Sequence, residues 1–142
     1  SYAFEIKSGR DKIERANFQT KTFSEVFDFV FLVVDDKEQF SNISDNIGIN
    51  ENEYIDGEIN FDTVRKAKRN FELDQFKQLN TLSKAQLIKI LEIKEDIDKT
   101  KLVMDILNAY SESEINTLFK RSLKEKYLER WKSYIELNIL NS

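Results

Sequence analysis

The sequence predicts an α/β protein, with a strand–helix–strand unit at its start and an all-helical C-terminal region. Three observations carry this. Tyr2–Lys7 alternates apolar and polar residues and ends on Ser8-Gly9, the period of two expected of a half-buried strand. Phe27–Val34 is a nearly continuous apolar, β-branched and aromatic run closed by Asp35-Asp36, which reads as a strand covered on both faces. From Asp62 onward the apolar residues recur at helical spacing, punctuated by two capping boxes.

Taken in order, the first strand projects Glu5 and Lys7 from one face and Tyr2, Phe4 and Ile6 from the other. Asp11 is placed to cap the next helix, in which Ile13, Ala16 and Phe23 share a face, as do Arg15 and Gln19. Strand, helix and strand within about 35 residues make one βαβ unit. Residues 37–61 are acidic and turn-rich, with one lysine against six acids. Short peripheral strands are expected at Ile47–Ile49 and around Asp56-Gly57, the signature of a tight hairpin turn.

Asp62 is read as the cap of a helix reaching about Leu79, with Val64, Ala67, Phe71 and Phe76 beside the basic cluster Arg65, Lys66, Lys68 and Arg69. Ser83–Gln86 is a capping box with Leu82 and Leu87 placed as a hydrophobic staple. A polar joint at Lys94–Asp98 precedes a helix bearing Leu102, Val103, Ile106 and Leu107. Ser111–Glu114 is the second capping box. It opens a long helix with Ile115, Leu118, Phe119, Leu123, Tyr127, Trp131, Tyr134 and Ile135 on one stripe, read as helix–helix core. The expected division is 1–61 for the α/β part, with its peripheral hairpin, and 62–142 for the helical part.

Composition narrows the chemistry. The 142 residues are 40% hydrophobic and 34% charged, with 22 Lys and Arg against 26 Asp and Glu. That balance is globular, and the acidic excess argues against indiscriminate polyanion binding. No stretch reads as a membrane span or signal segment. The chain has no cysteine and no histidine, which excludes thiolate metal sites, cysteine nucleophiles and the usual general base. The lack of cysteine fits a reducing, cytoplasmic setting. Catalysis would have to run on carboxylates, lysines, hydroxyls or an oxygen-bound cation such as Mg²⁺. The chain opens on Ser1-Tyr2 and runs straight into a strand, so the sequence reading expects an N-terminally truncated fragment with earlier strands upstream.

The run Ala3–Ser8, the Arg-rich helix start, Gln19 and the strand Val30–Val34 together resemble the core of the PD-(D/E)XK nuclease superfamily. The resemblance is to an uncharacterised bacterial and phage family with an "EIKS" strand, and it covers the first 35 residues. It implies a restriction-endonuclease-like half-core and metal-dependent hydrolysis of nucleic acid, with DNA the expected substrate and Mg²⁺ or Mn²⁺ as cofactor. In that reading Glu5 and the carbonyl of Ile6 hold the metal, Lys7 orients the water, and Gln19 supports the site. Arg10, Lys12, Arg15, Arg65, Lys66, Lys68 and Arg69 would contact the phosphates, and a homodimer is allowed. The superfamily's leading Asp would lie upstream of Ser1, so the given chain would be inactive alone. Read without the resemblance, Glu5 and Lys7 are an ordinary ion pair. The alternative is then a helical protein- or nucleic-acid-binding module on a non-catalytic α/β scaffold.

Overall fold

In the computed structural model of the chain, which describes residues 1–40 and 42–140 (side chains to residue 137), two compact units are distinguished, 1–74 and 75–142. The first unit is a four-stranded sheet with one helix. Strand β1 (Tyr2–Lys7) leads to α1 (Ile13–Ser24) and β2 (Phe29–Val34), then through a short 3₁₀ turn (Glu38–Phe40) to β3 (Gly48–Ile55) and β4 (Glu58–Arg65). The sheet order is β1-β2-β3-β4. Strands β1, β2 and β3 are parallel, and β3 and β4 form an antiparallel hairpin. The α/β class and the βαβ unit are therefore present as expected.

The core of this unit lies on one side of the sheet. Val30, Leu32 and Val34 of β2 and Ile49 of β3 pack against Ala16 of α1 and against Phe40, Ile43 and Ile47 of the β2–β3 connection. The segment after β4 is tied back by backbone bonds from Lys68 to Asn46, Asn70 to Asp28 and Asp74 to Glu25. Arg65 fixes the same corner, its guanidinium donating to the carbonyls of Ile43, Ser44 and Ile47.

The helix expected to begin at Asp62 does not form there. Glu58–Arg65 reads Glu-Ile-Asn-Phe-Asp-Thr-Val-Arg, and it pairs with β3 from Glu58 to Thr63 and again at Arg65, with an irregularity at Val64. The turn is set by Asp56 and Gly57, both at positive φ (51° and 86°) as a two-residue hairpin connection requires. Strand pairing thus takes Asp62–Arg65, and the compact unit runs to Asp74 where the sequence suggested a division after residue 61. Asp11 likewise is not the cap of α1; its carboxylate accepts from the N–H of Ser8, and Lys12 holds the cap position.

The second unit holds α2 (Gln75–Thr81), α3 (Lys84–Leu91), α4 (Lys99–Ala109) and α5 (Glu112–Leu140). Both capping boxes form. Ser83 and Gln86 exchange side-chain and backbone bonds, and so do Ser111 and Glu114. The bond from the Ser111 N–H, followed by that from its hydroxyl, holds the Glu114 carboxyl below its usual range. Leu79, Leu82, Leu87, Leu102, Val103, Ile106, Ile115 and Phe119 make the buried core.

The long helix corrects the sequence reading in an instructive way. Ile115, Phe119, Leu123, Tyr127 and Trp131 are spaced by four, and each such step overshoots a turn by about 40°. Trp131 therefore sits roughly 160° round the helix from Ile115. Ile115 and Phe119 are fully buried in the bundle, whereas Tyr127, Trp131 and Tyr134 are each about 60% exposed. The stripe is not one core face: from Tyr127 to Leu137 every residue of the helix is exposed, whichever way it points.

The tightest packing in the sheet is at Gly48, which lies beneath the Phe31 ring. A Cβ there would stand 2.7 Å from Cε1 of Phe31 and 2.8 Å from the backbone nitrogen of Ala67. Gly48→Ala should therefore cost about 1–3 kcal/mol, read as a lower urea midpoint with an unchanged slope. A neutral result would show that the Phe31 ring and the 66–68 backbone yield freely.

Candidate functional site

Two regions compete for a functional role. The first is the Glu5–Lys7 pair on β1. The strand's alternation was legible, but the charged side faces in and the apolar side faces out. Glu5 lies opposite Leu32 and Lys7 opposite Val34, both on the face covered by α1. The Lys7 ammonium is 2.7 Å from the Glu5 carboxylate, and the two side chains are only 5% and 16% exposed. The pair is thus a buried ion pair, with each charge neutralising the other. Gln19 is half-buried on α1 and bonds to neither; its Oε1 has no hydrogen-bond partner. Ile6 pairs with Val33 in the ladder. Among the described residues no group of three or more Asp, Glu, His or Cys converges to hold a metal ion.

The basic residues singled out in the first unit divide in two. Arg65 is spent on three carbonyls, Lys68 pairs with Asp45 at 2.6 Å, and Arg69 lies 3.6 Å from Asp28 and over the Phe71 ring. Arg10, Lys12 and Arg15, at the start of α1, and Lys66, after β4, are exposed.

The second region is the distal half of α5, which the sequence reading assigned to the core. Residues 120–132 carry six Lys and Arg against two Glu. Placed on the helix, Lys124 lies about 20° from the axis of Trp131, and Arg130 and Lys132 flank it at roughly 100° on either side. Glu125, Glu129 and Glu136 fall between about 120° and 160° away, on the side of Lys132 and within about 60° of it. From Tyr127 to Leu137 the helix is exposed all round, with Lys124, Tyr127 and Leu128 beside Trp131, and Trp131 stacked on Tyr134 at 6.0 Å between centroids. Lys124, Arg130 and Lys132 make no ion pair among the described residues.

At the base of this segment a cleft of about 330 Å³ between α3 and α5 is lined by Gln86, Lys89, Arg121, Ser122 and Lys126. Lys89 bonds Glu125 at 2.8 Å, which holds the lysine above and the glutamate below their usual ranges. The signal for this region was present in the sequence as the charge count. It was masked by reading every fourth residue as a single face.

Comparison with known families now settles the lineage. The family model described as bacteriophage P4 protein cII matches residues 1–141, and the chain belongs to that family. Comparison with curated proteins and with solved structures returned no significant match. The family assignment overturns the PD-(D/E)XK resemblance and, with it, the nuclease and hydrolase reading of Glu5, Lys7 and Gln19. No helix among the described residues is long and apolar enough to cross a membrane.

The burial of the Glu5–Lys7 pair predicts a structural cost. Glu5→Gln should destabilise the protein by about 3 kcal/mol, because it strands the Lys7 ammonium under α1. Glu5→Leu/Lys7→Met should recover most of that loss in urea denaturation. Equal destabilisation by the single and double variants would show that the ionic character itself is required.

Proposed function

We propose that this chain is a nucleic-acid-binding module, acting on DNA, whose α/β unit is a non-catalytic scaffold and whose contact surface is the distal half of α5. One observation carries the reading: residues 120–132 of α5 hold six Lys and Arg against two Glu, with Lys124 on the same side of the helix as the exposed rings of Tyr127 and Trp131. Cations along a helix attract the phosphate backbone and release its counterions. Aromatic rings beside them offer stacking surfaces to unpaired bases, whatever their sequence. Arg10, Lys12, Arg15 and Lys66 are proposed as further phosphate contacts from the first unit. The bacteriophage family is in keeping with a nucleic-acid partner, and a cytoplasmic setting is part of the same proposal.

The test is fluorescence anisotropy with labelled single- and double-stranded oligonucleotides at two salt concentrations. The triple variant Lys124→Glu/Arg130→Glu/Lys132→Glu should weaken binding to both by at least about tenfold and flatten the salt dependence. Trp131→Ala should weaken the single strand selectively, by about 1–3 kcal/mol. All four positions are exposed, so circular dichroism should report an unchanged fold. Wild-type protein that binds neither oligonucleotide at low salt would overturn the proposal.

A further inference from the structure

The side of the sheet opposite α1 carries two exposed apolar stretches, parted where the backbone at Ala67 passes close to Gly48 and where Val33 is buried. In-register neighbours share a face, so Tyr2, Phe4 and Ile6 of β1 stand on the same side as Phe29 and Phe31 of β2, and as Tyr54, Ile59 and Phe61 of the hairpin. The rings of β1 and β2 are stacked on one another, Tyr2 on Phe29 at 5.0 Å and Phe4 on Phe31 at 5.1 Å. Tyr2, Phe4, Ile6, Tyr54, Ile59 and Phe61 are nevertheless 56–76% exposed. At about 150–250 Å² per large aromatic side chain, these six leave on the order of 700 Å² of mostly apolar surface in water. Summed over both stretches, that approaches the roughly 800 Å² per partner of a standard stable interface.

We propose that this face is an interface between two copies of the chain. The occupant follows from charge. No strand position on this side of the sheet carries an ionisable acid or base in its side chain, tyrosine hydroxyls apart. A second copy can therefore be laid face to face without like charges meeting. A polyanion finds no cation at these strand positions. The distal face of α5 is the opposite case, since two copies joined there would oppose lysine to lysine. Two sheets packed face to face bury their inner side chains in a layer about 10 Å thick. A two-fold axis through the middle of the sheet sets β1 of each copy over the hairpin of the other, so both exposed stretches are covered at once.

Sedimentation equilibrium of the full chain tests this, with Ile6→Lys on β1 and Phe61→Glu on β4. Both side chains are largely exposed, so thermal midpoints should stay close to wild type. Wild type is expected to be dimeric at about 100 µM, and each variant to raise the dimer dissociation constant by at least about tenfold. An equimolar mixture of the two variants should regain dimer, because lysine on one copy then faces glutamate on the other. A monomeric wild type at that concentration overturns the proposal. So does a dimer that both variants leave intact.

Discussion

The first unit depends on one constraint, the parallel pairing of β2 with a strand on each side. Parallel neighbours cannot be joined by a tight turn, so each pairing demands a crossover. Crossovers in such units share one hand. In the order β1-β2-β3 the chain moves in the same direction twice, and a fixed hand then lays both connections on the same face. This is where they lie: Ala16 of α1 and Phe40 and Ile43 of the second connection share one cluster with Val30, Leu32 and Val34. A doubly wound sheet would reverse direction and cover both sides. This one does not, and its second face keeps two exposed apolar stretches. The inversion of β1 follows from the same constraint. Glu5 and Lys7 happen to point toward the covered side, so they are buried as a pair, while the apolar residues beside them are left in water.

What the sequence disclosed and what it hid divide along physical lines. Local signals survived into the structure: the alternation of Tyr2–Lys7, the run Phe29–Val34, the Asp56-Gly57 turn and both capping boxes depend on residues within a few positions of one another. Signals that require a distant partner did not survive unaided. Asp62–Arg65 can be read as a helix start or as the end of a strand, and only the ladder to β3 decides. The inward direction of Glu5 and Lys7 is likewise set by α1, not by the alternation itself. The α5 stripe failed because periodicity does not show where along a helix its packing ends: every position from Tyr127 to Leu137 is exposed, apolar or not. The resemblance built on Glu5, Lys7 and Gln19 used residue types that a buried ion pair and a helix glutamine also supply, which is why the match of the whole chain outweighs it.

Charge is partitioned between the two units in a way that gives each a different kind of surface. Residues 1–74 hold ten Lys and Arg against sixteen Asp and Glu, and residues 75–142 hold twelve against ten, which together account for the 22 and 26 of the chain. Within the second unit the positive excess is concentrated on α5 between Lys120 and Lys132. Within the first, the hairpin from Glu51 to Asp62 has five acids and no base.

The two exposed aromatic surfaces are therefore not interchangeable. Apolar area alone would make either a docking site for almost anything, since burial of such area is non-directional. Charge supplies the direction. On α5 the rings lie among cations, and only an anionic partner recovers the cost of bringing those cations together. On the sheet the strand positions that carry the rings hold no charge, so a second copy can approach without like charges meeting. A single surface bearing both apolar area for self-association and a dense positive field would be driven apart by the field it needs for its ligand.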